Sequence, residues 1–298
     1  MSADWLGAQL SVAGVLAPTA VAVGLGSAWA RWGTPLDRRP VTELITKIGA
    51  PCLVFSGLVS VDLELDRVLK MAGATLTALA LFGLIGAAGL WLAGLPRSTF
   101  LNPLIFGNVG NMGLPLCLFA FGPEGLALAL CVFAVVSIVH YTLGVAIWSG
   151  EWSLAGLVRE PLSWAALLAA GVLALDLTPP RWIMNTTQLL GGFTVPLMLL
   201  TLGMAISELR VRDLRRHTAL AVGRLSMGTA VGFGLAAALG LEGLSRGVFV
   251  LECSMPVAVF NYLMAQRYGR EPEEVAGVVV VSTLLAFAGL PFLLAGLL

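Results

Sequence analysis

Residues 107–125 read GNVGNMGLPLCLFAFGPEG, and residues 251–269 read LECSMPVAVFNYLMAQRYG. Each stretch sits within a long apolar region and interrupts it with Gly, Asn, Ser or Pro. A proline inside a helix deletes one N–H and frees the carbonyl four residues earlier. For Pro115 and Pro256 those carbonyls belong to Asn111 and Glu252. Both residues fall about ten positions into their apolar runs, near the middle of a bilayer. Irregular backbone at that depth is tolerated only where it is buried in protein or lines a wet cavity. Half-helices starting near Pro115 and Pro256 would aim their positive N-terminal ends at the centre, and proline suits that first position. The preceding halves would aim carbonyl ends there. The first kind of end favours an anion, the second a cation.

The surrounding composition agrees. Of 298 residues, 58% are hydrophobic and only 11% charged. A soluble chain of this length needs a larger charged coat. Apolar runs long enough for a ~30 Å hydrocarbon core recur throughout. Helices are predicted at 11–30, 41–61, 69–95, 101–121, 125–149, 154–176, 185–207, 217–241, 244–266 and 275–297. No cleavable leader precedes the first, and no soluble domain is left over; the link SGEWSLAGLVREP is expected along the inner surface. Of the 17 Lys and Arg residues, all but Arg67, Lys70, Arg181 and Arg246 fall at one set of helix ends, Arg224 counted among them. The positive-inside rule makes that face cytoplasmic and places both termini outside. Trp29, Trp32, Trp91, Trp148 and Trp152 fall near the inner ends, as an aromatic belt would.

The chain repeats itself at about half its length. Pro51 in IGAPCLVFSGLV aligns with Pro196 in FTVPLMLLTLGM, Pro115 with Pro256, and Gly122 with Gly269. Each copy carries five helices, an odd number, so the second is inverted. The repeats are residues 1–150 and 151–298. Interrupted helices at matching places in inverted repeats point to a transporter's substrate site.

Asn111 and Asn108, with Gly110 and Gly113 allowing close backbone approach, are candidate ligands for a substrate. Pro115, Pro256, Val257 and Asn261 flank the same breaks. Glu252 costs ~2.5–3.5 kcal/mol near a helix centre, so it is protonated, paired or holding a cation. With Ser254 it is the candidate for coupling to a proton or a sodium ion. His140, Tyr141, Ser282 and Thr283 suit either a pathway lining or helix–helix hydrogen bonds.

Other classes find little support. The two histidines have no metal-ligand spacing, and no hydrolase, nucleotide-binding or catalytic carboxylate motif occurs. Cys52, Cys117, Cys131 and Cys253 lie in apolar runs and imply neither zinc nor disulfides. The formal net charge is +0, which gives no basis for nucleic-acid binding. No cofactor is expected beyond a coupling ion.

The stretches IGAPCLVFSGL, GNVGNMGLPLCLFAFGPEGL, PLMLLTLGMAISEL, LECSMPVAVFNYLMAQRYG and VVVVSTLLAF resemble a bacterial member of the auxin efflux carrier family. That family is similar in fold to bile-acid sodium symporters. The resemblance implies a scaffold domain (near 11–61 and 154–207) and a transport domain (near 69–149 and 217–297). It implies crossed fourth and ninth helices meeting at prolines, here Pro115 and Pro256, with Asn111 ahead of the crossover. It further implies carboxylate substrates such as auxin or malonate, an elevator motion, and by analogy a homodimer. The long central loop of the plant exporters is missing, replaced by residues 149–161.

The expected protein is an all-α polytopic secondary transporter of small organic anions in a bacterial inner membrane. The alternatives are a sodium-coupled symporter of the bile-acid type and a membrane receptor without transport. An enzyme is not expected.

Overall fold

In hydrocarbon every backbone polar group must be satisfied within the protein, so apolar runs of this length become helices. The computed structural model describes residues 2–34, 36–61, 64–152, 158 and 160–298. Helix α1 is Ser2–Trp32, α2 Arg38–Val59, α3 Leu65–Leu92, α4 Arg97–Ile105 and α5 Val109–Ser149. Then follow α6 Pro161–Ala174, α7 Arg181–Glu208, α8 Leu214–Ala238, α9 Gly243–Cys253, α10 Val259–Tyr268 and α11 Pro272–Ala295. Large apolar side chains such as Leu84, Leu189 and Phe292 face outward, where a soluble protein would carry charge.

Among the described residues, seven helices are long and apolar enough to cross a membrane. Three departures from the predicted spans account for the difference. First, α5 is a 41-residue helix that turns at Gly122, whose φ of 70° and ψ of −163° fit glycine and no helix. The predicted fourth and fifth spans meet at this turn, which Pro123 follows. Second, the predicted ninth span is divided into α9 and α10 by residues 254–258. Third, α6 has only 14 residues, about 21 Å at 1.5 Å each, short of the ~30 Å core. Residues 153–157 and 159, where the predicted sixth span begins and the mid-chain link runs, lie outside the described residues.

Packing sorts the helices. Helix α1 lies along α7, and α2 packs on α6 and α7. Helix α8 packs on α11 and α9, while α3 packs on α4 and α5. The small residues Gly26 and Gly203 let α1 and α7 touch backbone to backbone: a Cβ on either would strike the facing main chain. Ser27 Oγ donates to the Gly203 carbonyl at 2.8 Å in the same contact.

Three turns of π-helix, at Ile45–Gly49, Val109–Gly113 and His140–Gly144, interrupt α2 and α5. The first two immediately precede the helical segments that carry Pro51 and Pro115 in their first positions. A π-turn widens the helix and removes the clash between the proline ring and the carbonyl four residues back. Pro115 is therefore absorbed within a continuous helix. The expected break at Pro115 is corrected to Phe106–Asn108, eight residues upstream of it at its centre, Gly107.

Two further expectations are corrected. Trp148 is not in an interfacial belt: it is fully buried, its carbonyl accepting from Arg270 Nε at 3.1 Å. Arg224 is not at a helix end. It sits ten residues beyond Leu214, about 15 Å into α8, and is 1% exposed.

Candidate substrate site at the helix crossing

Helices α4 and α9 are short, 9 and 11 residues, and their chains cross where they end before continuing as α5 and α10. Gly107 and Val257 form an antiparallel bridge. The Asn108 N–H donates to the Pro256 carbonyl at 2.6 Å, and the Ala258 N–H donates to the Phe106 carbonyl at 3.2 Å. The Val257 N–H donates to Ser282 Oγ on α11 at 3.1 Å. Asn261 Nδ2 donates to the same Phe106 carbonyl at 3.0 Å. Main-chain groups left over by two interrupted helices are thus consumed by each other and by two polar side chains.

Pro256 lies in this crossing, with Val257 beside it; Pro115 does not. The predicted free carbonyl of Glu252 is also corrected, since it accepts from the Met255 N–H at 3.3 Å. At the start of α5, Met112 and Gly113 donate to the Asn108 carbonyl at 3.3 and 3.0 Å. Among the described residues, the amides of Val109, Gly110 and Asn111 remain as the free N-terminal donors of that helix.

A cavity of about 1000 Å³ opens at the end of the bundle bearing Arg38, Arg39, Glu208 and Arg267 and reaches the crossing. Gly107, Asn108, Val109, Gly110 and Asn111 line its inner end with Ala258 and Val259. Asn111 is partly exposed, and among the described residues no hydrogen bond ties its side chain. Asn108 is 3% exposed with Nδ2 unpartnered among the described residues. Phe133, Val136, Ser137, His140 and Tyr141 form one wall. Of the expected substrate residues, Asn108 and Asn111 thus reach the cavity. Gly113, Pro115, Pro256, Val257 and Asn261 are buried behind its surface.

Glu252 and Ser254 do not line the cavity either. Glu252 is 1% exposed and accepts from Cys117 Sγ at 3.4 Å, with its other carboxyl oxygen unpartnered among the described residues. It lies against Gly113, where any Cβ would collide with the carboxyl group. Ser254 Oγ donates to the Val250 carbonyl at 2.8 Å and accepts from Thr229 Oγ1 at 3.1 Å, closing the end of α9.

Arg224 is the residue that sequence reasoning missed. Its guanidinium donates to the Cys253 carbonyl at 3.1 Å and stands 4.7 Å over the Phe82 ring. A cation at the carbonyl end of α9 is where the helix dipole favours one. Gly107 and Gly228 leave the room it occupies: a Cβ on either would come within 2.6 Å of a guanidinium nitrogen. The available signal was its position well inside an apolar run.

An irregular crossing at the inner end of a polar-mouthed cavity, within a bundle clothed in apolar side chains, defines a membrane transport protein. The comparisons agree: the chain belongs to the membrane transport protein family, of auxin efflux carrier type, which it matches over residues 12–152 and 148–294. It is 27% identical over 268 residues to an uncharacterized transporter of Methanothermobacter thermautotrophicus, covering 86% of this chain and 87% of that one. It is 26% identical to an uncharacterized transporter of Methanocaldococcus jannaschii, a match spanning 60% of this chain and 61% of the relative. A Rhizobium meliloti protein named "Putative malonate transporter" is 25% identical over 278 residues, 83% of each chain. The family and these relatives are transporters and not enzymes.

Proposed function

We propose that the protein is a secondary transporter of small carboxylates, working by alternating access around the crossing. One observation carries the reading: the cavity ends on the free amides of Val109–Asn111 beside the side chains of Asn108 and Asn111. Backbone donors at a helix N-terminus suit a carboxylate, and two amide side chains add donors without fixing a charge. The relative named for malonate supports a carboxylate as the substrate class.

In this reading the chain crosses the membrane ten times in two inverted five-helix repeats, residues 1–150 and 151–298. Gly122 and Gly269 support the pairing, since both end a half-helix with positive φ, 70° and 65°. The scaffold comprises residues near 11–61 and 154–207, and the transport domain those near 69–149 and 217–297. The latter moves as an elevator, as in the bile-acid symporter fold. The basic face is cytoplasmic in a bacterial inner membrane, both termini lie outside, and the cavity opens inward. The scaffold forms a homodimer.

A sodium-coupled variant would use Glu252 and Ser254 as ligands. Against it stands the Arg224 guanidinium, which already occupies the carbonyl end of α9. Thermal shift of the purified protein against malonate, succinate and monocarboxylates, with and without sodium, tests both. Stabilisation by a carboxylate is expected. A flat response to all of them, with no uptake into proteoliposomes, would remove the carboxylate reading.

A further inference from the structure

Phe133, Val136, Ser137 and His140 form a single stripe of α5 that faces the cavity. Phe133 packs against Gly110, where a Cβ would stand 2.8 Å from its ring. His140 lies beside the crossing. Its imidazole is stacked flat on Phe106 (centroids 3.9 Å apart, planes at 3°) and meets Phe260 edge-on at 5.0 Å. Phe106 is the crossing residue whose carbonyl takes both the Ala258 N–H and the Asn261 amide. The ring is thus clamped between residues of both crossing chains.

The surrounding backbone is shaped for it. His140 opens the π-turn ending at Gly144, and a Cβ at Gly144 would come within 2.5 Å of the imidazole and 3.0 Å of the Phe106 ring. Asn102 Nδ2 donates to the Gly144 carbonyl at 2.8 Å and fixes that turn. Yet His140 Nε2 makes no well-formed hydrogen bond among the described residues; its polar neighbour is the Asn261 side chain, whose Oδ1 is likewise unsatisfied. A third phenylalanine would fill this site without leaving a buried nitrogen unpaired, a loss of the order of 1–3 kcal/mol. What imidazole adds is an exchangeable proton.

The other charged groups around it are placed elsewhere. Asp37, Arg38, Arg39 and Glu43 from α2 and the segment before it, Glu160 before α6, Glu208 of α7 and Arg267 of α10 line the outer part of the cavity. Tyr141 neighbours His140 on its own helix and also lines the cavity. Glu252 and Arg224 stand behind the crossing, outside the cavity. The polar side chains contributed by helix α4 and the first turn of α5 nearby are Asn102, Asn108 and Asn111, which do not titrate.

We propose that His140 is the proton-coupling group of the carboxylate cycle, an inference that rests on the carboxylate reading above. The imidazole takes one proton from solution as the carboxylate settles on the amides of α5. It returns that proton to solution when the carboxylate leaves on the other side, and no other bond is made or broken. A monocarboxylate and its proton then leave the charge of the site unchanged while it crosses hydrocarbon, where a bare charge is costly.

The test is calorimetric binding of malonate, succinate and phenylacetate at pH 7.5 in two buffers of different ionisation enthalpy. About one proton taken up per ligand is expected for the wild type and for Glu252→Gln, and about none for His140→Gln. A wild type that binds a probe without proton uptake, or a His140→Gln protein that keeps the uptake, overturns the assignment and leaves carboxylate transport standing. Uptake lost in Glu252→Gln and kept in His140→Gln overturns it in favour of Glu252. Failure of every probe to bind the wild type overturns both readings. Because the chain has only two histidines, ring-labelled protein gives two NMR signals, assigned with His217→Gln, and this arm needs no variant at position 140. The His140 signal should move to the imidazolium position when a probe binds; a signal that stays neutral with the probe bound overturns the proposal.

Discussion

The main-chain N–H of Asn108 lies 2.6 Å from the carbonyl of Pro256, joining the start of α5 to the end of the α9 segment. Because the bond is between backbones, side-chain changes at this point leave it in place. Asn108→Ala and Asn111→Ala should therefore fold and express as the wild type does. Each should weaken carboxylate binding by roughly tenfold or more, since a hydrogen bond to a charged group contributes ~1.5–3 kcal/mol. Titration of each purified variant with the tightest-binding carboxylate checks this; unchanged affinity in both would remove the amides from the site.

Gly107→Ala should behave differently. Its Cβ would stand 2.5 Å from an Arg224 nitrogen and 3.1 Å from the Met255 carbonyl oxygen. Overpacking of this kind costs about 1–3 kcal/mol, and here the obstacles are a clamped guanidinium and main chain. A lower melting temperature in detergent is expected. Gly234→Ala, whose Cβ would meet nothing within 4 Å, is the control and should be neutral or slightly stabilising.

Arg224→Lys should not be conservative. The guanidinium bonds the Cys253 carbonyl while lying over Phe82, and an ammonium offers neither a planar face nor the same reach. Loss of melting temperature comparable to that of Arg224→Met is the expected result. Full stability in the lysine variant would show that charge alone suffices.

Asp213 caps α8, accepting from the Arg216 N–H at 3.0 Å. That bond, aided by the Arg216 charge, holds its carboxyl below the ordinary carboxylate value. A depressed folded-state value stabilises above the unfolded-state pKa and is lost as pH falls through the folded one, so the window lies below about pH 4. Asp213→Asn keeps a capping oxygen that cannot titrate. Between pH 5 and pH 3 its melting temperature should fall less than that of the wild type. Parallel declines would assign acid sensitivity to other groups.

Topology is testable by labelling. With Cys52, Cys117, Cys131 and Cys253 replaced, single cysteines at Ser2 and Arg212 should react with an impermeant reagent from opposite sides of the membrane. Reaction from the same side would contradict inverted five-helix repeats.

How far the sequence could be read follows from how local each signal is. Gly122 and Gly269 were aligned by their neighbours alone, and both carry the positive φ that only such residues accept at no steric cost. Pro115 misled because the proline rule assumes a helix of regular pitch. A π-turn absorbs the ring, and the break moved to Phe106–Asn108, where Gly107 permits the chain crossing. Arg224 reads with the helix-end charges in the sequence, where charge distribution alone does not reveal depth. Its burial depends on Phe82, Cys253 and the glycines Gly107 and Gly228, contacts between segments far apart in sequence.

The reciprocal bonds of the crossing have a mechanical consequence. Sliding α5 past α10 would strip two main-chain hydrogen bonds and leave four backbone groups to find new partners. The crossing therefore resists shear within itself and transmits force between its two chains. In the proposed cycle the two chains of the crossing would then move together, with the give lying in the side-chain contacts around them.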